Sequence, residues 1–160
     1  MLRLIFCIPL FWFISCLSNN KINNNDIEFI IQESQSYKYD LRQHTYTVFN
    51  MHGDTTIRFN LSKNEKEQIV NEYYKLGLDN IHYDIKIEDD CNIMPKLNTT
   101  LIVRLNDKTH SILIDDACTD YKFALDNYAQ KIKRFLQFIY RVLKEKPEIK
   151  NAPISDMMYL

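Results

Sequence analysis

Apolar and polar positions alternate over "IEFIIQES" at 27–34, placing Ile27, Phe29 and Ile31 on one face of a predicted strand. A second strand is expected at 44–50, "HTYTVFN", which is rich in β-branched and aromatic residues. "MHGD" then makes a turn in which Gly53 supplies a positive φ. "TTIRFNL" follows, with Ile57, Phe59 and Leu61 inward and Arg58 and Asn60 outward, completing a hairpin. At Ser62 the period changes to that of a helix. "SKNE" is a capping box in which the Ser62 hydroxyl accepts from the Glu65 amide while the Glu65 side chain reaches back. Ile69, Tyr73 and Leu76 form the apolar stripe of this helix, and Gly77 suits its C-terminal cap.

Residues 78–98 carry no strong period. "TTLIVRL" and "THSILID" flank "NDK" as a second hairpin, with Asn106 and Asp107 at the turn. A long helix is expected from about Tyr121 to Lys144, with Leu125, Ile132, Phe135, Leu136, Ile139 and Leu143 covering one face of the sheet. Pro147 ends it, and 147–160 is expected to be an extended segment on the surface, with packing back of Met157, Met158, Tyr159 and Leu160 as the alternative for its end. The order β-β-β-α-β-β-α predicts an α+β fold: an antiparallel sheet of about five strands, two helices on one face, and the other face partly open.

The N-terminus has a different character. "MLRLIFCIPLFWFISC" carries one positive charge, Arg3, before an apolar run from Leu4 to Ile14. The run falls short of the roughly 20 apolar residues a spanning helix needs and matches the apolar region of a signal peptide. "FISC" at its end resembles the lipobox of bacterial lipoproteins, with Ser15 as the small residue before the cysteine; Phe13 departs from the usual leucine. The resemblance implies that Cys16 receives a diacylglyceryl group and becomes the first residue of the mature, lipid-anchored chain. Residues 1–15 are then the signal peptide, 16–25 a lipidated start and flexible polar tether ("LSNNKINNN"), 26–146 the domain and 147–160 the tail. Ordinary cleavage near Ser18, releasing a secreted soluble inhibitor or effector, is the alternative.

Export changes the reading of the cysteines. Cys7 leaves with the signal peptide and Cys16 is taken by lipid, so Cys91 and Cys118 remain as an even pair in an oxidising compartment. A disulfide between them would stabilise the fold by about 3–4 kcal/mol in the chain-entropy model. Two unpaired buried thiols are the alternative.

Composition narrows function chiefly by exclusion. Two glycines in 160 residues leave no material for a phosphate-cradling or dinucleotide-binding loop. A net charge of −1 gives no global field to draw in nucleic acid. Lys131, Lys133, Arg134, Arg141 and Lys144 on the last helix read as its solvated face. His44, His52, His82 and His110 show no metal-ligand spacing, although His44 and His110 fall in predicted strands that could meet across a sheet. "IEDDC" and "IDDAC" each put two aspartates before a cysteine. A Cys91–Cys118 bond would gather Asp89, Asp90, Asp115 and Asp116, a set suited to a hard cation such as Ca²⁺ or to paired-carboxylate hydrolysis. Solvated aspartates at strand ends are the competing reading. "DTT" at 54–56 resembles the short O-glycosylation motif of exported Bacteroidota proteins, which would make Thr55 the acceptor.

The lipobox-like "FISC", the hairpin "YTVFNMHGDTTIRFNLS", the capped helix "SKNEKEQIVNEYYKLG" and a second hairpin before a last helix together resemble small uncharacterised lipoproteins of Bacteroidota. That resemblance implies a cell-envelope location and no particular activity. The expectation is a non-enzymatic envelope protein without cofactor, attached to the membrane through lipid and binding a protein partner or helping maintain the envelope. A cation-dependent envelope hydrolase built on the aspartates is the opposing reading.

Overall fold

A computed structural model describes residues 27–87, 98–105, 108–115 and 127–157. The expected segments 1–15 and 16–25, Cys91, Cys118 and the Asn106–Asp107 turn lie outside these residues, as does the expected start of the last helix.

The fold is α+β, as expected, but its sheet is larger than the sequence pattern indicates and is mixed. Seven strands are described: β1 (Ile27–Glu33), β2 (Tyr37–Asp40), β3 (Thr45–Val48), β4 (Thr55–Arg58), β5 (Ile85–Ile87), β6 (Asn98–Leu105) and β7 (Lys108–Asp115). They lie in the order β4-β3-β2-β1-β6-β7-β5, antiparallel throughout except where β5 runs parallel to β7. Three α-helices accompany them: α1 (Lys63–Lys75), α2 (Asn127–Lys144) and α3 (Pro147–Lys150). A 3-10 turn, Leu78–Asn80, follows α1.

Two strands depart from expectation. β2 occupies a stretch with no expected element. Its signal is two tyrosines around one lysine, and it follows a tight turn in which Ser34 takes a positive φ of 46°. β5 has only three residues. Asp84, just before it, accepts from both the amide (2.6 Å) and the hydroxyl (2.9 Å) of Ser111, which pins the strand beside β7. Those two donors also hold the Asp84 carboxyl below its ordinary pKa.

Register explains the layering. Ile27, Phe29 and Ile31 of β1 share a face with Tyr39, Tyr46, Leu101, Val103 and Ile112 on the neighbouring strands. Ile69 and Tyr73 of α1 and Ile132, Phe135 and Ile139 of α2 complete the core on this side. At its centre the rings of Phe29, Tyr73 and Phe135 meet pairwise at 5.2–5.4 Å, joining the middle strand to both helices. The Tyr73 hydroxyl is spent locally, donating to the Leu78 carbonyl at 3.0 Å.

The opposite face is polar at its margins, with Lys38, Thr47, Thr56, Arg58 and Arg104, but not throughout. Ile30 is only 8% exposed there, directly opposite half-buried Ile102, and Leu113 lies diagonally across.

Helix α1 follows one edge strand, β4, and leads to the other, β5, so it crosses the sheet. Its expected start is present: Ser62 Oγ accepts from the Glu65 amide at 3.3 Å, and Glu65 accepts from the Ser62 amide at 2.8 Å. Gly77 ends it with a φ of 68°, a conformation for which glycine carries no side-chain penalty. The same Glu65 takes both hydrogen bonds of Lys146 at 2.7 Å, tying the start of α1 to the end of α2.

The tail corrects the expectation of an extended segment. Pro147 ends nothing by itself; it occupies the first turn of α3, where its missing N–H costs no helical bond. Beyond α3 the chain returns to the sheet. Buried Ser155 donates to the Phe49 carbonyl (2.5 Å) and its amide donates to the Tyr37 hydroxyl (3.2 Å). Asp156 accepts from the Met51 amide at 2.9 Å. The segment fastens the turn between β3 and β4.

Candidate functional site

One concavity lies where β1 begins. It is a cleft of about 270 Å³ between the first residues of β1, the β2–β3 turn and α1. Ile27, Phe29, Leu41, Leu61, Ile69 and Val70 supply apolar lining, and Glu28, Arg42, His44 and Lys66 supply the polar part. The volume is just below the range usual for small-molecule sites.

Local sequence explains the lining. β2 ends at Asp40, whose carboxylate accepts from the amides of Arg42 (3.1 Å) and Gln43 (2.9 Å) and so folds the turn. The turn closes with His44 at a φ of 54°, and its carbonyl accepts from the Phe59 amide at 3.0 Å. His44 is therefore a turn residue rather than the expected strand residue. A histidine with positive φ is uncommon, and this one stands beside a cleft. Burial lowers its pKa, the nearby Lys66 ammonium lowers it further, and Asp40 opposes both. Glu28, the one carboxylate of the lining, is engaged by Arg42 at 3.0 Å and Arg104 at 3.7 Å. Lys66 has no ion-pair partner among the described residues.

The expected chemistry is placed as follows. His44 and His110 do not meet: strands β2, β1 and β6 separate the β3 end of the sheet from β7. His110 is buried on the helix-facing side of β7, and its Nε2 has no hydrogen-bond partner among the described residues. Burial lowers its pKa, and His82 adds to the effect while Asp84 opposes it. Asp115 ends β7 and is only 4% exposed, so it is not the solvated strand-end aspartate of the simplest reading. Asp89, Asp90 and Asp116, its proposed companions in a cation site, lie outside the described residues, as do Cys16, Cys91 and Cys118. Among the described residues no group of three or more His, Cys, Asp or Glu side chains is arranged to hold a metal ion. Thr55 opens β4 and is exposed.

Two further clusters had no sequence signal. Between α1 and α2 an open groove is lined by Glu72, Lys75, Arg134, Gln137, Phe138 and Arg141, but Glu72 already pairs with Lys75 (3.1 Å) and Arg134 (3.7 Å). At the other end of β1, Glu33 sits among Tyr37, Tyr39, Tyr46 and Tyr140, with Tyr39 and Tyr46 stacked at 4.6 Å. Burial raises the Glu33 pKa, opposed by the Tyr140 hydroxyl and then by the Lys144 ammonium. Burial also pushes the Tyr46 phenol up to about 12. A carboxyl with a raised folded-state pKa costs stability once pH rises above its unfolded value, because the fold disfavours its charge. Glu33→Gln is therefore expected to raise the melting temperature at pH 7, with the gain shrinking as pH falls to 4. Paired thermal melts of the two proteins check this.

The fold and cleft define an α+β domain with a mixed sheet and a small, cation-rimmed cleft. The chain matches no protein-family model, no curated protein and no solved structure.

Proposed function

We propose that the protein is a lipid-anchored, non-enzymatic module of the cell envelope that engages a partner protein. The observation that carries this reading is Cys16 closing an apolar run in "FISC" and followed by an asparagine-rich stretch, with the described sheet beginning at Ile27. Residues 17–26 reach at most about 35 Å when extended, which would keep the domain close to the membrane surface. Strand β4 favours a protein partner. It ends the sheet among the described strands, Thr55, Thr56 and Arg58 on it are exposed, and so are Met51 in the turn before it and Ile154 in the docked tail. As an edge strand of the described sheet, β4 leaves one side of its backbone without a strand partner, although its shortness and Arg58 limit how long an added strand could pair there.

Intact-mass measurement of the protein from its native membrane, with thiols alkylated before reduction, tests the anchor. The expected mass begins at Cys16 and carries a diacylglyceryl group, with Cys91 and Cys118 unalkylated. A chain that starts beyond Cys16 without lipid would overturn the anchor and make this a released protein. Photo-crosslinking in cells from Thr56 tests the partner. One stoichiometric protein adduct is expected, and its absence removes the binding reading.

A further inference from the structure

We infer that the outward face of α2, with the groove it shares with α1, rests on the anionic phospholipid headgroups of the membrane beside the domain. The inference deepens the anchored reading and rests on it for proximity to the bilayer. It uses no residue of the β4 edge.

Charge segregation is the first observation. Helix α2 carries five cations and no acidic residue, in a chain whose net charge is −1. Lys131, Arg134, Phe138 and Arg141 follow one another at spacings of three, four and three, so they share one face of the helix. Ile132, Leu136, Ile139 and Leu143 are buried on the opposite one. Arg134 and Arg141 line the open groove between the helices together with Lys75 of α1. Three cations there meet a single carboxylate, Glu72, which Lys75 (3.1 Å) and Arg134 (3.7 Å) already share. Lys131 and Arg141 have no carboxylate partner among the described residues. Each rests over a ring instead, Lys131 at 5.7 Å from the Tyr128 centroid and Arg141 at 5.2 Å from that of Phe138.

The layout of these groups selects the occupant. From Lys131 to Arg141 is about 15 Å of helix at 1.5 Å per residue, so the cations meet several separate anions rather than one small ligand. A folded protein partner needs an apolar centre that it can bury. The apolar material on this face is single rings set among cations, a composition suited to headgroup level. Each cation close to an anionic bilayer strengthens binding about fivefold. That is weak for a free protein. It suffices for one tethered within about 35 Å of the surface, where the local concentration of lipid is already high.

The test places p-benzoylphenylalanine at Gln137, an exposed position on the groove, in the full chain held in lipid nanodiscs. One set of discs is phosphatidylcholine alone, and the other contains phosphatidylglycerol as well. Lipid adducts after illumination are read by mass. The yield is expected to be at least fivefold higher in the discs with phosphatidylglycerol. The same probe at Thr56, on the other face of the sheet, should give little lipid adduct in either. Lys131→Gln with Arg141→Gln should cut the Gln137 yield at least fivefold, and the melt of this variant shows whether it is folded. Salt on the unaltered chain gives an independent arm. Raising it from about 0.1 M to about 1 M shortens the screening length from about 10 Å to about 3 Å and should bring the yield down to that in phosphatidylcholine. Equal yields in the two kinds of disc would overturn the proposal, as would equal yields from Gln137 and Thr56. A yield indifferent to salt, or an adduct to a second copy of the chain in place of lipid, would do the same. Failure of the anchor itself is seen separately, in the intact mass. A chain released without lipid is then sedimented with vesicles of the two compositions, where binding confined to those with phosphatidylglycerol is expected and its absence overturns the inference.

Discussion

Phe135→Ala is expected to lower stability by about 3–5 kcal/mol, the cost of truncating a fully buried aromatic residue. Phe135 has no solvent exposure and meets Phe29 at 5.2 Å and Tyr73 at 5.4 Å. Its loss opens a hole bordered by a central strand and two helices, with no single loop free to collapse into it. For a chain of 160 residues this corresponds to a fall in melting temperature of about 10–15 °C. Since domains of this size are stable by about 5–15 kcal/mol, the variant keeps little margin at 37 °C. Tyr73→Phe is the control. It preserves the ring contacts and removes only the hydrogen bond to Leu78, at about 1 kcal/mol. Thermal and urea melts of the two variants should therefore differ severalfold, and a small effect of Phe135→Ala would mean that the three-ring contact is not central to the core.

Glu65→Ala comes second, at about 2–3 kcal/mol. It removes one half of the capping box and leaves Lys146, whose side chain is 14% exposed, without its bidentate acceptor. Partial solvent access, 27% at Glu65, keeps the loss below that of breaking a fully buried pair. Combining Glu65→Gln with Lys146→Met should recover part of it, because no unpaired cation then remains. The pH dependence has a definite sign. The Lys146 ammonium, followed by the Ser62 donors, holds the Glu65 pKa below 4.5, so the folded state binds this proton less tightly than the unfolded one. The contribution is present above the unfolded value of 4.5 and is lost as pH falls through the folded one. Wild-type and Glu65→Ala melts should therefore converge on acidification below pH 4.5.

Local patterns in the sequence reach some of these features and not others. The capping box, the glycine closing α1, the hairpin at Gly53 and the β6–β7 pair all depend on neighbours within a few residues, and each is found where the pattern places it. β5 is different in kind. Three residues have no periodicity to read, and the strand is defined by its parallel pairing with β7, far off in sequence, beside which Asp84 accepts from Ser111. His44 begins a run of β-branched and aromatic residues, so the pattern assigns it to the strand; the closing turn, set by Asp40, claims it instead. The cleft takes lining from β1, the β2–β3 turn and α1, and the Glu65–Lys146 pair spans 81 positions, so neither has a signature within any one segment. The expected Cys16, Thr55 and Cys91–Cys118 modifications are questions of covalent chemistry, which mass measurement addresses directly.

The central place of β1 also bears on how the chain folds. Although β1 is the first of the described strands in sequence, one of its edges pairs with β2 and the other with β6, where Ile31 lies opposite Leu101. The strands β1 to β4 form successive hairpins and need only short loops to close. The second edge must wait until β6 has been made, and bringing it back means closing a loop of some 70 residues. During that interval an apolar strand with half its backbone unpaired is available to any other extended chain. In a chain made N-terminus first, β1 therefore waits longest for its second partner, and that interval is the one most exposed to wrong pairing.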